Sequence, residues 1–181
     1  MLTEQSYIQK TSDSNNIYGN DDILMTQVLK PYKDHSKYLK SADVVQVSNA
    51  QNKELVVGEC KFAIPKSCYN IGSSSFNPVE FNIAYNQMMY YVIAKSVKEK
   101  LMVPFQGWTI DDFWKKQLPD IYIVNFESNF RRSMLAEQFY GEIEFTNMRL
   151  RAGLIYILTK CRYWDGKGGH CDGEVKLAIV N

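Results

Sequence analysis

One stretch constrains this chain more than any other: "FNPVEFNIAYNQMMYYVIA", residues 76–94. Its first residues carry helix-start chemistry. Asn77 suits the N-cap, Pro78 the first helical position, and Glu80 falls at N3, where a carboxylate can close a capping box. From Phe81 onward the segment is apolar almost all round, and such a helix must be covered on nearly every side. Yet Asn82, Asn86 and Gln87 sit in its middle. Asn82, Asn86 and Tyr90 recur at i, i+4, i+8 and so share one stripe, while Phe81, Tyr85, Met88 and Val92 form the opposite, core side. A buried amide without a hydrogen bond costs a few kcal/mol. The stripe therefore either joins a structural network, for instance across a dimer interface, or lines a pocket whose ligand supplies the partners.

The rest of the chain supplies a cover for that helix. Residues 1–20 are polar and rich in Ser, Asn and Asp and read as a loose tail; residues 21–181 read as one domain. "DDILMTQVLKPY" is a short amphipathic helix stopped by Pro31. "GWTIDDFWKKQL" is another, with Thr109 as N-cap and Asp112 at N3. Six strand-like segments remain: "ADVVQVSNAQ" and "ELVVGECKFAI" before the long helix, then "IYIVNFES", "FYGEIEFTNMRL", "GLIYILTKCRYWD" and "GEVKLAIV" after it. "GEIEFTN" and "GEVKLAI" alternate polar and apolar residues, so one face of their sheet meets water. Consecutive strands favour antiparallel pairing. The economical solution is α+β: one curled antiparallel sheet of about six strands wrapped around one long helix, the hot-dog arrangement.

Composition excludes several classes. Hydrophobic residues make up 45% and charged residues 23%, and the formal net charge is +1. That is the balance of an ordinary globular protein and no footprint for nucleic acid. The N-terminus shows no apolar signal region, and the longest apolar run is too short to span a bilayer, so the chain reads as cytoplasmic with no membrane partner. Cys60, Cys68, Cys161 and Cys171 form no CxxC pair, and with only His35 and His170 to join them the spacings of a zinc site are missing. A metal site is not expected. Lys95, Lys98 and Lys100 at the end of the long helix form the one basic cluster that suits an acidic carrier, although such lysines ordinarily just match the helix dipole.

The sequence also resembles a known family. "VLKPY" (28–32), "FNPVEFNIAYNQ" (76–87), "GWTIDDF" (107–113), "FRR" (130–132) and "GEVKLA" (173–178) occur in the order and spacing of the FcoT-like, type III fatty acyl-CoA thioesterases. They are similar too to the related (2E)-enoyl-acyl carrier protein glycyltransferases of isonitrile lipopeptide biosynthesis. The similarity runs from about residue 28 to 180. It implies a hot-dog fold that forms homo-oligomers through its sheets, with acyl thioester sites at subunit interfaces. It implies no cofactor of the protein's own, the acyl group being carried on phosphopantetheine or CoA. It implies that two tyrosines and an asparagine carry the chemistry, which by motif fall on Tyr32, Tyr69 in "SCYN" and Asn86. One position departs: family members often have histidine before the helix-initiating Phe, and this chain has Ser75.

Two reactions fit such a site. In one, the amine of glycine adds to the β-carbon of a (2E)-enoyl chain on an acyl carrier protein. Charge then builds on the thioester oxygen, where backbone N–H groups near Asn77 to Glu80, Asn86 or Tyr69 could bind it. Glycine's carboxylate calls for a cation, and Arg131 is the candidate, with contact to carrier or CoA phosphates as its alternative. In the other reaction water attacks the thioester, and the only carboxylate on the helix is Glu80. A capping role for Glu80 would leave hydrolysis without a clear base and favour addition. A third reading is an acyl-carrier-binding hot-dog without catalysis.

Overall fold

The computed structural model describes residues 18–50, 53–67 and 75–181. In chain order come α1 (Asp22–Val28), β1 (Leu39–Ala50), β2 (Lys53–Phe62), α2 (Pro78–Glu99), α3 (Ile110–Lys116), β3 (Ile121–Arg132), β4 (Phe139–Arg151), β5 (Leu154–Trp164) and β6 (His170–Val180). The described strands form one six-stranded sheet in the order β1-β2-β4-β5-β6-β3. Every neighbouring pair is antiparallel.

The helix α2 forms because its start is capped as the sequence predicts. Asn77 is extended, and its side-chain oxygen accepts from the Val79 and Glu80 N–H groups, with Pro78 behind it. It ends at Lys100, whose left-handed backbone (φ 58°) returns an N–H to the Ser96 carbonyl. Between these caps the helix is buried on nearly every side.

The sheet curls round this helix, as contacts from both of its edges show. At the β1 edge the Gln87 carboxamide oxygen accepts from Leu39 N–H at 2.9 Å. At the β3 edge Phe126 meets Phe81 edge-on, centroids 5.6 Å apart. In between, Tyr85 O–H donates to Thr159 of β5 at 2.7 Å, and the Thr159 hydroxyl passes on to the Val175 carbonyl of β6. The approach is close enough to dictate composition. A Cβ on Gly58 of β2 would lie 2.6 Å from Val92 Cγ2, so only glycine lets the helix settle there.

Two boundaries differ from those read off the sequence. Tyr18 exchanges backbone hydrogen bonds with Val44, and Asn20 binds Asp43 and the Ala42 N–H; residues 18–20 thus belong to the domain, while the rest of the expected tail lies outside the described residues. β3 runs on through the polar "NFRR" to Arg132, because β6 pairs with it as far as His170. Arg131 is therefore on a strand, not after one. Among the described residues, no helix is long and apolar enough to cross a membrane.

Candidate active site

The three amides of α2 divide. Gln87 is fully buried and structural. Its oxygen accepts from the Tyr38 and Leu39 N–H groups, both at 2.9 Å, and its Nε2 donates to the Ser36 carbonyl. It holds the loop leading into β1 against the helix. Asn82 and Asn86 make no such contact. Asn86 Nδ2 donates to the Asn82 carbonyl at 2.9 Å and to Asn82 Oδ1 at 3.1 Å. Asn82 is exposed and Asn86 half-buried. The pair orients itself and leaves Asn86 Oδ1 unengaged among the described residues.

Tyr32 comes to the same stripe. Pro31 follows the end of α1, and the Tyr32 N–H is fixed on the Leu29 carbonyl at 3.0 Å. Its half-buried ring packs against the core. Burial pushes its phenol far above its ordinary range, and the nearby Tyr90 phenol adds to this. Tyr90 is pushed up by burial as well. Both phenols thus remain protonated through the neutral range, and each can donate an O–H bond but is a poor base. The structure places Tyr32 near Tyr90, one helical turn on from the Asn82–Asn86 pair. Tyr69, the third residue expected here, lies outside the described residues.

The start of α2 differs from the expectation in two ways. First, its backbone donors within the helix are committed: Pro78 has none, the Val79 and Glu80 N–H groups bind the Asn77 side chain, and the Phe81 N–H binds the Asn77 carbonyl. The positive end of the helix dipole remains, but the N–H groups of Val79, Glu80 and Phe81 are taken. Second, Glu80 does not close a capping box. The box is complete at α3, where Thr109 and Asp112 exchange bonds. At α2 the Glu80 side chain is turned inward, 1% exposed, and its Oε2 has no hydrogen-bond partner among the described residues. The Nδ2 of Asn77 is likewise buried and unpartnered.

Arg131 is not brought to this site. Its guanidinium grips Asp172 with two bonds, 2.8 and 3.3 Å, and Asn129 reaches the same carboxylate. Phe130 between them packs on Phe76 and Phe81. Arg131 thus occupies the sheet face away from the helix. The basic cluster at the end of α2 is also neutralised. Lys98 binds Asp21 at 2.5 Å, Lys95 is buried beside Asp21 and Glu99, and Lys100 binds the Gln106 and Trp108 carbonyls. Ser75, where relatives often carry histidine, is exposed and forms a backbone bridge with Leu135.

A family model described as the FcoT-like thioesterase domain matches residues 27–179. The chain belongs to the FcoT-like thioesterase family. Within it, the chain is 50% identical over 166 residues to a Streptomyces coeruleorubidus protein named (2E)-enoyl-ACP glycyltransferase, covering 89% of this chain and 98% of that one. A Mycobacterium bovis protein of the same name is 30% identical over 162 residues, covering 87% of this chain and 86% of the relative. In structure, a candidate thioesterase of Shewanella oneidensis superposes with a TM-score of 0.50 at 6% identity, over 89% of this chain and all of its own (100%). That last likeness carries the hot-dog fold alone, and the family members supply the chemistry to be tested.

Proposed function

We propose that this protein adds glycine, through its amine, to the β-carbon of a (2E)-enoyl chain carried on an acyl carrier protein. The observation that carries the reading is the likeness to the Streptomyces coeruleorubidus glycyltransferase, which leaves almost none of that protein unmatched. The geometry is compatible with the chemistry. Addition needs a donor at the thioester oxygen, where negative charge collects as the carbon–nitrogen bond forms. It needs a proton for the α-carbon afterwards. Tyr32, kept protonated by burial, suits both needs. Asn86, its orientation set by Asn82, is the amide that meets the thioester head group. Tyr69 completes the set by motif. The acyl chain follows the apolar length of the helix.

Hydrolysis is the second reading, and one observation favours it. Glu80 is not consumed by capping, so a carboxylate is free on α2 to activate water. The expectation that capping would leave hydrolysis without a base therefore loses its footing. Assembly through the sheets is part of the proposal as well. It is supported by β3, an edge strand exposing Tyr122, Val124 and Phe130, of the kind that invites strand pairing with a second copy.

The deciding experiment is intact mass spectrometry of a carrier protein loaded with a short 2-enoyl chain, incubated with the protein with and without glycine. A gain of one glycine on the still-loaded carrier supports addition. Loss of the acyl group regardless of glycine overturns it in favour of hydrolysis. Asn86→Ala and Tyr32→Phe should then each lower turnover by about a hundredfold while the fold persists.

A further inference from the structure

The start of α2 leaves two complementary atoms without partners among the described residues: a carboxylate oxygen, Glu80 Oε2, and an amide donor, Asn77 Nδ2. Both are buried, and at i, i+3 the two side chains are neighbours on the helix surface. The orientation of the Asn77 amide is fixed, since its oxygen is committed to the Val79 and Glu80 N–H groups. A buried, unpartnered carboxylate costs more than any other arrangement of that side chain unless something binds it. The positive end of a 22-residue helix lies beside it, but provides no hydrogen bond.

A ligand that satisfies both atoms carries a donor and an acceptor within a few ångströms of one another, and a cationic donor and an anionic acceptor would bind most strongly. An α-amino acid zwitterion has that form. Glycine adds the further requirement that nothing project from its α-carbon, which suits a buried position. We propose that Glu80 and Asn77 form the glycine subsite: Glu80 binds the ammonium group, and Asn77 Nδ2, with the helix dipole behind it, binds the carboxylate. This deepens the reading of the protein as a glycyltransferase and rests on it. It also replaces Arg131, whose guanidinium is held by Asp172 on the far face of the sheet.

Asn86 is six residues on from Glu80, about 9 Å along the helix axis and about 120° round it, so a substrate that engages both must pass partly round the helix. Glu80 takes one proton from the ammonium group and frees the nitrogen lone pair. A nitrogen–carbon bond forms at the β-carbon as the α,β π bond breaks toward the thioester oxygen. The α-carbon then takes a proton, so the proton lost by the amine is balanced by the one gained at carbon, and no oxidant or further reactant enters.

The test uses the full chain, Glu80→Gln and Asn77→Ser. Serine keeps an N-cap acceptor and removes only the Nδ2 donor. Thermal unfolding is measured with increasing glycine, and steady-state rates are measured with the enoyl carrier and glycine varied separately. Wild-type protein should be stabilised by glycine and Glu80→Gln should not. The KM for glycine should rise about tenfold or more in each variant, while the KM for the enoyl carrier stays within about twofold. An unchanged glycine KM in both folded variants overturns the subsite, even if wild type transfers glycine. So does a Glu80→Gln protein that is less stable and loses affinity for both substrates equally, because that is the signature of a structural carboxylate. If wild type transfers no glycine but glycine stabilises it in a Glu80-dependent way, the subsite stands and the transfer reaction falls.

Discussion

The helix α2 buries two ionisable side chains, one near each end, and treats them in opposite ways. At the far end Lys95 is 6% exposed and has Glu99 at 3.5 Å and Asp21 at 4.0 Å. Asp21 is itself fully engaged: its side chain caps α1 at Leu24 and binds Lys98, and its N–H donates to the Tyr91 hydroxyl. Each group has a partner, and the cluster joins α1 to α2. At the near end Glu80 is buried more deeply and one of its oxygens has none among the described residues. The same contrast recurs between adjacent amides in mid-helix, Gln87 bonded three times to main chain and Asn86 bonded only to its own helix. Lys95 and Gln87 are satisfied by the protein, whereas Glu80 and Asn86 each keep an oxygen without a partner among the described residues, as does buried Ser96. On the proposed reading, the partner of Glu80 and Asn86 is the substrate.

Substitutions should separate the two kinds of site by the sign and size of their effects. The largest loss of stability should come from Gln87→Ala. It orphans two buried N–H groups and one carbonyl at once, for a cost of about 4 kcal/mol, read by denaturant unfolding. Asn86→Ala, one residue away, should cost less than about 1 kcal/mol while removing turnover. Equal destabilisation by both would erase the distinction. Next comes Asp21→Ala, which removes the α1 N-cap and one of the two carboxylates facing Lys95; about 2 kcal/mol is expected. Combining it with Lys95→Met should recover part of that loss, a non-additivity that shows the penalty to be an unpaired buried charge.

Much of this was legible in the sequence. Strand-like composition between short breaks, with alternation in two of the segments, placed all six strands, and the Asn77-Pro78 pair placed the start of α2, because these signals act within a few residues. What was not legible depends on partners far along the chain. Glu80 sits at the right position for a capping box, and the sequence cannot say that its side chain turns inward instead. Lys95 looks like an ordinary solvated residue near a helix end, and only docking of α1 buries it. Arg131 looked available because its partner, Asp172, arrives by pairing of β3 with β6. Tyr32 rests on the family motif alone, since nothing in the local pattern of "KPY" distinguishes a site tyrosine from a packing one, while Asn86 rests on the amide stripe and the motif together.

A smaller effect of opposite sign sharpens the contrast. Glu80→Gln keeps the shape and removes the unpartnered charge, so it should raise stability by about 1 kcal/mol while impairing turnover. Lys95→Met, at the satisfied end, should not raise it. A destabilised Glu80→Gln protein would mean that the carboxylate has a structural partner after all.

The smallest effect concerns pH and tests whether Asp21 is as well satisfied as its contacts imply. Its bond to Lys98, then that from the Leu24 N–H, hold its carboxyl below the usual value. The folded state thus favours the ionised form. The stability it contributes is complete above the unfolded pKa and is lost as pH falls through the folded one. Glu59 on the outer sheet face works in reverse. Burial, and then the Glu142 carboxylate, push its pKa up, so its contribution is complete below the unfolded value and is lost as pH rises. Acidification should therefore cost the Asp21 joint while relieving Glu59. Asp21→Asn should flatten the acid limb of the stability curve, and Glu59→Gln should raise stability slightly at neutral pH and steepen the net loss on acidification. If Asp21→Asn leaves the acid limb unchanged, the joint between α1 and α2 is held by packing of Leu24, Met25 and Val28 alone, and the contrast with Glu80 rests on Gln87.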